Sequence, residues 1–129
     1  MGYRTDRQRA VGLGAAGEGT GHWWNQRLTS LSLLLLTPFF VFPFAATLGA
    51  DFETARATYA DPFNALVAIL FLLVAFAHLQ QGVQVVVEDY VHGRALRTAL
   101  LLANLLICWA LALAGIFAIA KIAFTSAGS

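Results

Sequence analysis

Residues 62–87 read PFNALVAILFLLVAFAHLQQGVQVVV. No Asp, Glu, Lys or Arg interrupts them. The run is long enough to cross a bilayer, which takes about 20 residues as a helix. Val, Leu, Ala, Ile and Phe follow one another without the alternation of a barrel strand. Hydrocarbon offers no water to satisfy the backbone, so a helix is the remaining solution. Asp61 ahead of Pro62 supplies a capping carboxylate and a proline at the first helical position. At the far end Tyr90 to Gly93 closes the segment, with Gly93 available for a turn.

Two further stretches have the same character. They run from about Leu28 to Gly49 and from about Thr98 to Ala120, again without charged residues. The expected fold is all-α and transmembrane, with three helices over about 28–49, 62–87 and 98–120. Residues 1–27 are expected to form a polar N-terminal tail and interfacial segment, 28–122 the membrane unit, and 123–129 a short tail. Pro38 and Pro43 fall inside the first span and are expected to bend it. The segment from Gly49 to Pro62 reads as a loop.

Composition agrees. Of 129 residues, 59% are hydrophobic and 12% charged, against roughly 25% charged in soluble domains. Mean hydropathy is +0.71, which excludes a disordered chain. A net charge of +1 gives no electrostatic case for nucleic-acid binding. One Cys allows no intrachain disulfide and is too few for a structural zinc site.

The basic residues suggest an orientation. With the N-terminus inside, Arg4, Arg7, Arg9, Arg27, Arg94 and Arg97 lie on the inner side, and Arg56 and Lys121 on the outer. That asymmetry follows the positive-inside rule. Trp23 and Trp24 stand at the start of the first span, where indole rings favour the interface. The first 21 residues hold six of the eleven glycines. They read as a tail, or a segment ordered by a partner, rather than a signal peptide.

His78 is the histidine deep inside a span, and an ionisable residue there is a functional hypothesis by default. Gly82 follows four residues later and Asp89 eleven later. Eleven residues make about 1,100°, roughly 20° from whole turns, with a rise of about 16 Å. His78 and Asp89 therefore project the same way, and Gly82 removes a side chain one turn from His78. A haem iron needs a neutral imidazole nitrogen, and its macrocycle needs flat space beside the helix. The alternative is a histidine hydrogen-bonded to a neighbouring helix, with Gly82 allowing close packing. His92 is about 21 Å along the axis from His78 and His22 lies near the interface. If a haem with two His ligands is present, the second ligand must come from elsewhere, which argues for a partner chain.

Glu88, Asp89, Tyr90, His92, Arg94 and Arg97 gather at the end of the second span, and His22, Trp23, Trp24 and Arg27 at a similar depth at the start of the first. A phenol beside a carboxylate can donate to a carbonyl and pass on a proton. That chemistry suits a quinone head group, although charged and aromatic residues collect at any membrane helix end. Gln80, Gln81, Gln84 and Asn104 read as residues that join helices or meet a partner, and Cys108 as a small buried apolar residue.

The stretch from His78 through Gly82 and Asp89-Tyr90 to Arg97 resembles the small membrane-anchor subunit, the D subunit, of succinate dehydrogenase. The family pattern is His, Gly four later, Asp-Tyr eleven later, then a basic residue past the turn. Arg27-Leu-Thr29-Ser30 is similar to the family's Arg-x-Thr segment, and His22-Trp23-Trp24 to alphaproteobacterial members. The resemblance implies a three-helix hydrophobic membrane anchor. His78 would be an axial ligand of haem b, opposite a His from a second anchor, the C subunit. Tyr90 would hydrogen-bond a ubiquinone carbonyl, Asp89 would support it and the proton path, and Arg27 would meet a haem propionate or shape the quinone site. The partners would be the second anchor, the iron–sulfur subunit, the flavoprotein subunit and the lipid bilayer. The location would be a bacterial inner membrane, or a mitochondrial one. The rival readings are a quinol:fumarate reductase anchor and a non-redox scaffold or small transporter.

Overall fold

A computed structural model describes residues 18–126. Four helices follow in order: α1, Glu18–Thr47; α2, Phe52–Ala60; α3, Pro62–Tyr90; and α4, Arg94–Ser126. The described residues contain no strand. Three helices are long and apolar enough to span a membrane: Thr20–Thr47, Pro62–Tyr90 and Arg94–Thr125. Residues 1–17 of the expected N-terminal tail and 127–129 of the C-terminal tail lie outside the described residues.

The start of α3 follows from its sequence. Asp61 Oδ1 accepts from the Asn64 N–H at 3.0 Å, and Pro62 takes the first turn without wasting a donor. The helix ends at Tyr90, as the turn residues after it predict. α1 begins at Glu18 rather than near Leu28. The apolar stretch marks where the helix meets hydrocarbon, not where hydrogen bonding starts. At about 1.5 Å per residue, a 30-residue helix outruns a hydrocarbon layer of about 30 Å. α1 remains one helix through Pro38 and Pro43. It stops at Thr47, ahead of Gly49, which takes φ of 79°, a left-handed value that glycine adopts at no steric cost.

One element departs from the expectation. Residues 52–60, read as loop, form α2. Asp51 caps it, with Oδ1 accepting from the Thr54 N–H at 2.9 Å. Hydrogen bonding from the Thr54 side chain, and then from its N–H, holds the exposed Asp51 carboxyl below its ordinary pKa. Asn64 Nδ2 donates to the Thr58 carbonyl at 3.1 Å, tying α2 to the first turn of α3. Tyr59 is buried, and that burial pushes its hydroxyl pKa up.

α3 is the central element, packing against both α1 and α4. Phe40 of α1 stacks on Phe71 of α3, centroids 4.1 Å apart and planes 6° apart. On the α4 side Gly115 lets the helices close, since a Cβ there would sit 3.0 Å from Leu72 Cδ1. Asn104 Nδ2 of α4 donates to the Gln80 carbonyl at 2.8 Å, the interhelical role expected of it. Cys108 is buried and lies 3.4 Å from Asn104 Oδ1. The buried core is otherwise small: Ala65, Val67, Ala68 and Ala112. Large apolar side chains on all three long helices face outward, as a chain that meets lipid and partner helices must.

Candidate functional site

The inner part of the bundle is polar on one face. Gln26 and Thr29 are three residues apart on α1, so they share a face. That face meets His78 on α3. Thr29 Oγ1 lies 3.0 Å from His78 Nδ1, and Gln26 Nε2 lies 3.4 Å from His78 Nε2. The imidazole is thus addressed at both nitrogens, firmly at Nδ1 and loosely at Nε2. Its half-buried setting matches the reading of a histidine bonded to a neighbouring helix.

Gly82 completes this face, but not by close packing. A Cβ at position 82 would have Gln26 Nε2 as its nearest atom, at 3.9 Å, an ordinary contact. Its small size is therefore not required by the chain's own helices, in contrast to Gly115. Beside it a groove of about 340 Å³ is lined by His78, Leu79, Gly82, Val83 and Val86. Leu79 and Val86 are exposed, so the groove opens to the outside of the bundle.

Three buried polar atoms without a hydrogen-bond partner belong to residues of this region: His22 Nε2, Gln26 Oε1 and Gln81 Oε1. Gln81 adjoins Gly82 in sequence, and His22 is one helical turn before Gln26. Buried polar atoms are ordinarily paired, so these three call for an explanation. Gln80, Gln84 and Glu88 instead satisfy one another along α3: Gln80 Nε2 donates to Gln84 Oε1 at 3.3 Å. Gln84 Nε2 donates in turn to Glu88 Oε1 at 3.0 Å.

The other predicted residues sit at the helix ends. Asp89 and Tyr90 are the last two residues of α3. Both are exposed, Tyr90 to 78%. Among the described residues, neither hydrogen-bonds to the other or to Arg27. Arg27 is exposed on α1, its guanidinium 4.5 Å from the centre of the Trp23 ring. It lines a groove of about 520 Å³ with Trp24, Leu28, Ser30, Leu31 and Leu34. His92 is exposed in the turn between α3 and α4. The chain thus places His78 in a formed site and holds Tyr90, Asp89 and Arg27 at its surface.

Sequence reasoning missed Gln26. Helical phase puts Gln26 on the same face as Thr29, but no signal in the sequence says that this face turns toward α3. Treating everything before Leu28 as a tail hid that register.

Comparison with known proteins agrees with the sequence pattern. A family model described as succinate dehydrogenase/fumarate reductase transmembrane subunit matches residues 1–120. The succinate dehydrogenase hydrophobic membrane anchor subunit of Paracoccus denitrificans is 35% identical over 121 residues, covering 94% of this chain and 93% of that protein. The same-named subunit of Rickettsia bellii is 28% identical over 101 residues, covering 78% and 81%. The succinate dehydrogenase membrane anchor subunit of Reclinomonas americana is 26% identical over 82 residues, covering 61% and 68%. No solved structure matches significantly.

Proposed function

The chain belongs to the succinate dehydrogenase/fumarate reductase transmembrane subunit family, and from that premise we propose that it holds haem b with a second anchor subunit and helps form a ubiquinone-reduction site. It is a multi-pass membrane protein. The proposed location is a bacterial inner membrane with the N-terminus on the cytoplasmic side. The proposed partners are the second anchor, the iron–sulfur subunit and the flavoprotein subunit, which carries out succinate oxidation.

The observation that carries this reading is the environment of His78. A haem ligand must be a neutral imidazole with one nitrogen free and the other held by a hydrogen bond. His78 has Thr29 Oγ1 at Nδ1, and only a long contact from a flexible glutamine amide at Nε2. The open position at Gly82 and the outward groove leave room on the same face, and the orphaned polar atoms of Gln26 and Gln81 fit a site that awaits another component. His78 would hold the iron at Nε2, with Gln26 moving aside. A haem there supplies one-electron chemistry inside the membrane.

The remaining roles fall to groups at the inner surface. The exposed Tyr90 phenol is a donor for a quinone carbonyl oxygen, which gains negative charge on reduction. A donor aimed at that oxygen helps most as the charge develops. Asp89, beside it in sequence, is the acceptor through which protons reach the phenol from water. Arg27 is available for an anionic propionate or for the quinone site. The exposed outer surfaces of α1 and α3 are where the second anchor and the iron–sulfur subunit are expected.

Affinity purification through a tag on this chain tests the proposal. The expected result is a four-subunit complex with succinate-to-ubiquinone activity. A tagged chain that, in cells producing all four subunits, purifies without the others contradicts it.

A further inference from the structure

The hydrogen-bond geometry at His78 determines more than a contact. Thr29 Oγ1 has three close polar neighbours. The Asn25 carbonyl is 2.9 Å away, the Gln26 carbonyl 3.0 Å and His78 Nδ1 3.0 Å. A hydroxyl carries one proton, and carbonyl oxygens can only accept. If Nδ1 were bare, the hydroxyl would donate to the ring. Its oxygen would then lie 2.9 and 3.0 Å from two carbonyl oxygens with no proton between them. If Nδ1 carries the proton, the ring donates to Oγ1, and the single hydroxyl proton is left for the backbone, held by one carbonyl or shared between the two. The second arrangement is electrostatically favoured.

We propose that Thr29 is a positioning residue that fixes His78 as its Nδ1–H tautomer, so that Nε2 is the nitrogen offered to iron. The inference rests on the haem reading above. Thr29 is well built for the task. Its hydroxyl is anchored to the backbone of its own helix, and its β-branched side chain has restricted χ1 freedom. A chain of donors running from ring to hydroxyl to carbonyl polarises the imidazole and raises the basicity of Nε2. A more basic ligand favours ferric over ferrous haem and so lowers the reduction potential.

The test reads the tautomer and the haem separately. Nitrogen NMR of the full chain, labelled with 15N-histidine and reconstituted in lipid bilayers, reports the tautomer without haem. The His78 signal is assigned by its loss in His78→Ala. Wild type should give Nδ1–H, Thr29→Val should move His78 to Nε2–H, and Thr29→Ser should restore the wild-type form. In the purified complex, Thr29→Val should weaken haem binding about tenfold, at the lower end of the effect of such supporting groups. It should also raise the haem reduction potential, and Thr29→Ser should do neither. If Thr29→Val does not assemble, the wild-type NMR spectrum still decides. Nε2–H in the wild-type chain, or a Thr29→Val haem with unchanged potential and affinity, overturns the proposal. An Nδ1–H ring in a complex that lacks a b-type band overturns the haem reading instead.

Discussion

Asn104 of α4 donates a hydrogen bond from Nδ2 to the main-chain oxygen of Gln80 on α3, at 2.8 Å, two residues beyond His78. The acceptor belongs to the backbone, so the bond fixes the height of one helix against the other regardless of side-chain rotamers on α3. Interhelical hydrogen bonds in membranes contribute about 0.6 kcal/mol on average. Asn104→Leu should therefore lower the stability of the assembled complex by about that much, and leave haem content near wild type. Thermal inactivation and haem-to-protein ratio measured together check this. Loss of haem at unchanged stability would show that Asn104 acts on the cofactor site.

Gly82 of α3 and Gly115 of α4 should respond oppositely to the same substitution. At Gly115 a new Cβ meets Leu72 Cδ1 at 3.0 Å, and overpacking costs about 1–3 kcal/mol. Leu72 offers the end of a flexible side chain, so Gly115→Ala should fall at the lower end. At Gly82 the nearest atom is 3.9 Å away, so Gly82→Ala should be neutral or gain up to about 1 kcal/mol of helix propensity. Gly82→Leu should lower haem content if the proposed haem lies beside it, because it fills space that the chain's own helices leave open. Thermal unfolding for the alanine pair, and haem-to-protein ratio for the leucine variant, test both statements.

Gln26 and His78 should behave differently from Thr29 and His78. The Gln26 amide stands at Nε2, the position an iron would take, so it must move when haem binds. Gln26→Ala should leave haem content within about twofold of wild type, far from the 10–100-fold effects of groups that support a metal ligand. A severe haem loss in that variant would place Gln26 among the supporting groups and contradict the displacement.

Tyr90→Phe removes the phenol and keeps the ring. Loss of one donor costs about 10²–10³ in rate in acyl-transfer oxyanion holes. About a tenfold fall is expected here, because the proposed second anchor would contribute other donors to the quinone. Succinate-to-ubiquinone turnover should fall while succinate-to-dye turnover in the same membranes holds. If both rates and inhibitor sensitivity stay at wild type, Tyr90 is an interface residue only.

The sequence carries the three spans plainly, because charge-free apolar runs have one solution in hydrocarbon. It carries the start of α3 in Asp61-Pro62 and the helix-joining role of Asn104. It does not carry the helix ends that leave the apolar layer. α1 extends back to Glu18 through residues too polar to register as a span. α2 was hidden for the same reason, although Asp51 and Thr54 hold the capping relation that forms it. At the site, His78 and Gly82 are legible because both lie on one helix at helical spacing. Thr29 and Gln26 are not, since nothing in a single sequence states which face of α1 turns toward α3. Tyr90, Asp89 and Arg27 are legible as residue types at a helix end. All three are exposed in this chain, so no contact within it assigns them a role.

The measurement that tests the central claim most directly is the dithionite-reduced minus oxidised spectrum of the purified complex, wild type beside His78→Ala. The wild type should show a b-type haem band. In His78→Ala that band should be lost, or persist with a changed spin state if the partner's ligand retains the haem. Succinate oxidation with a soluble dye should persist in both. An identical b-type spectrum and haem content in the two complexes would contradict the assignment of His78 as an axial ligand.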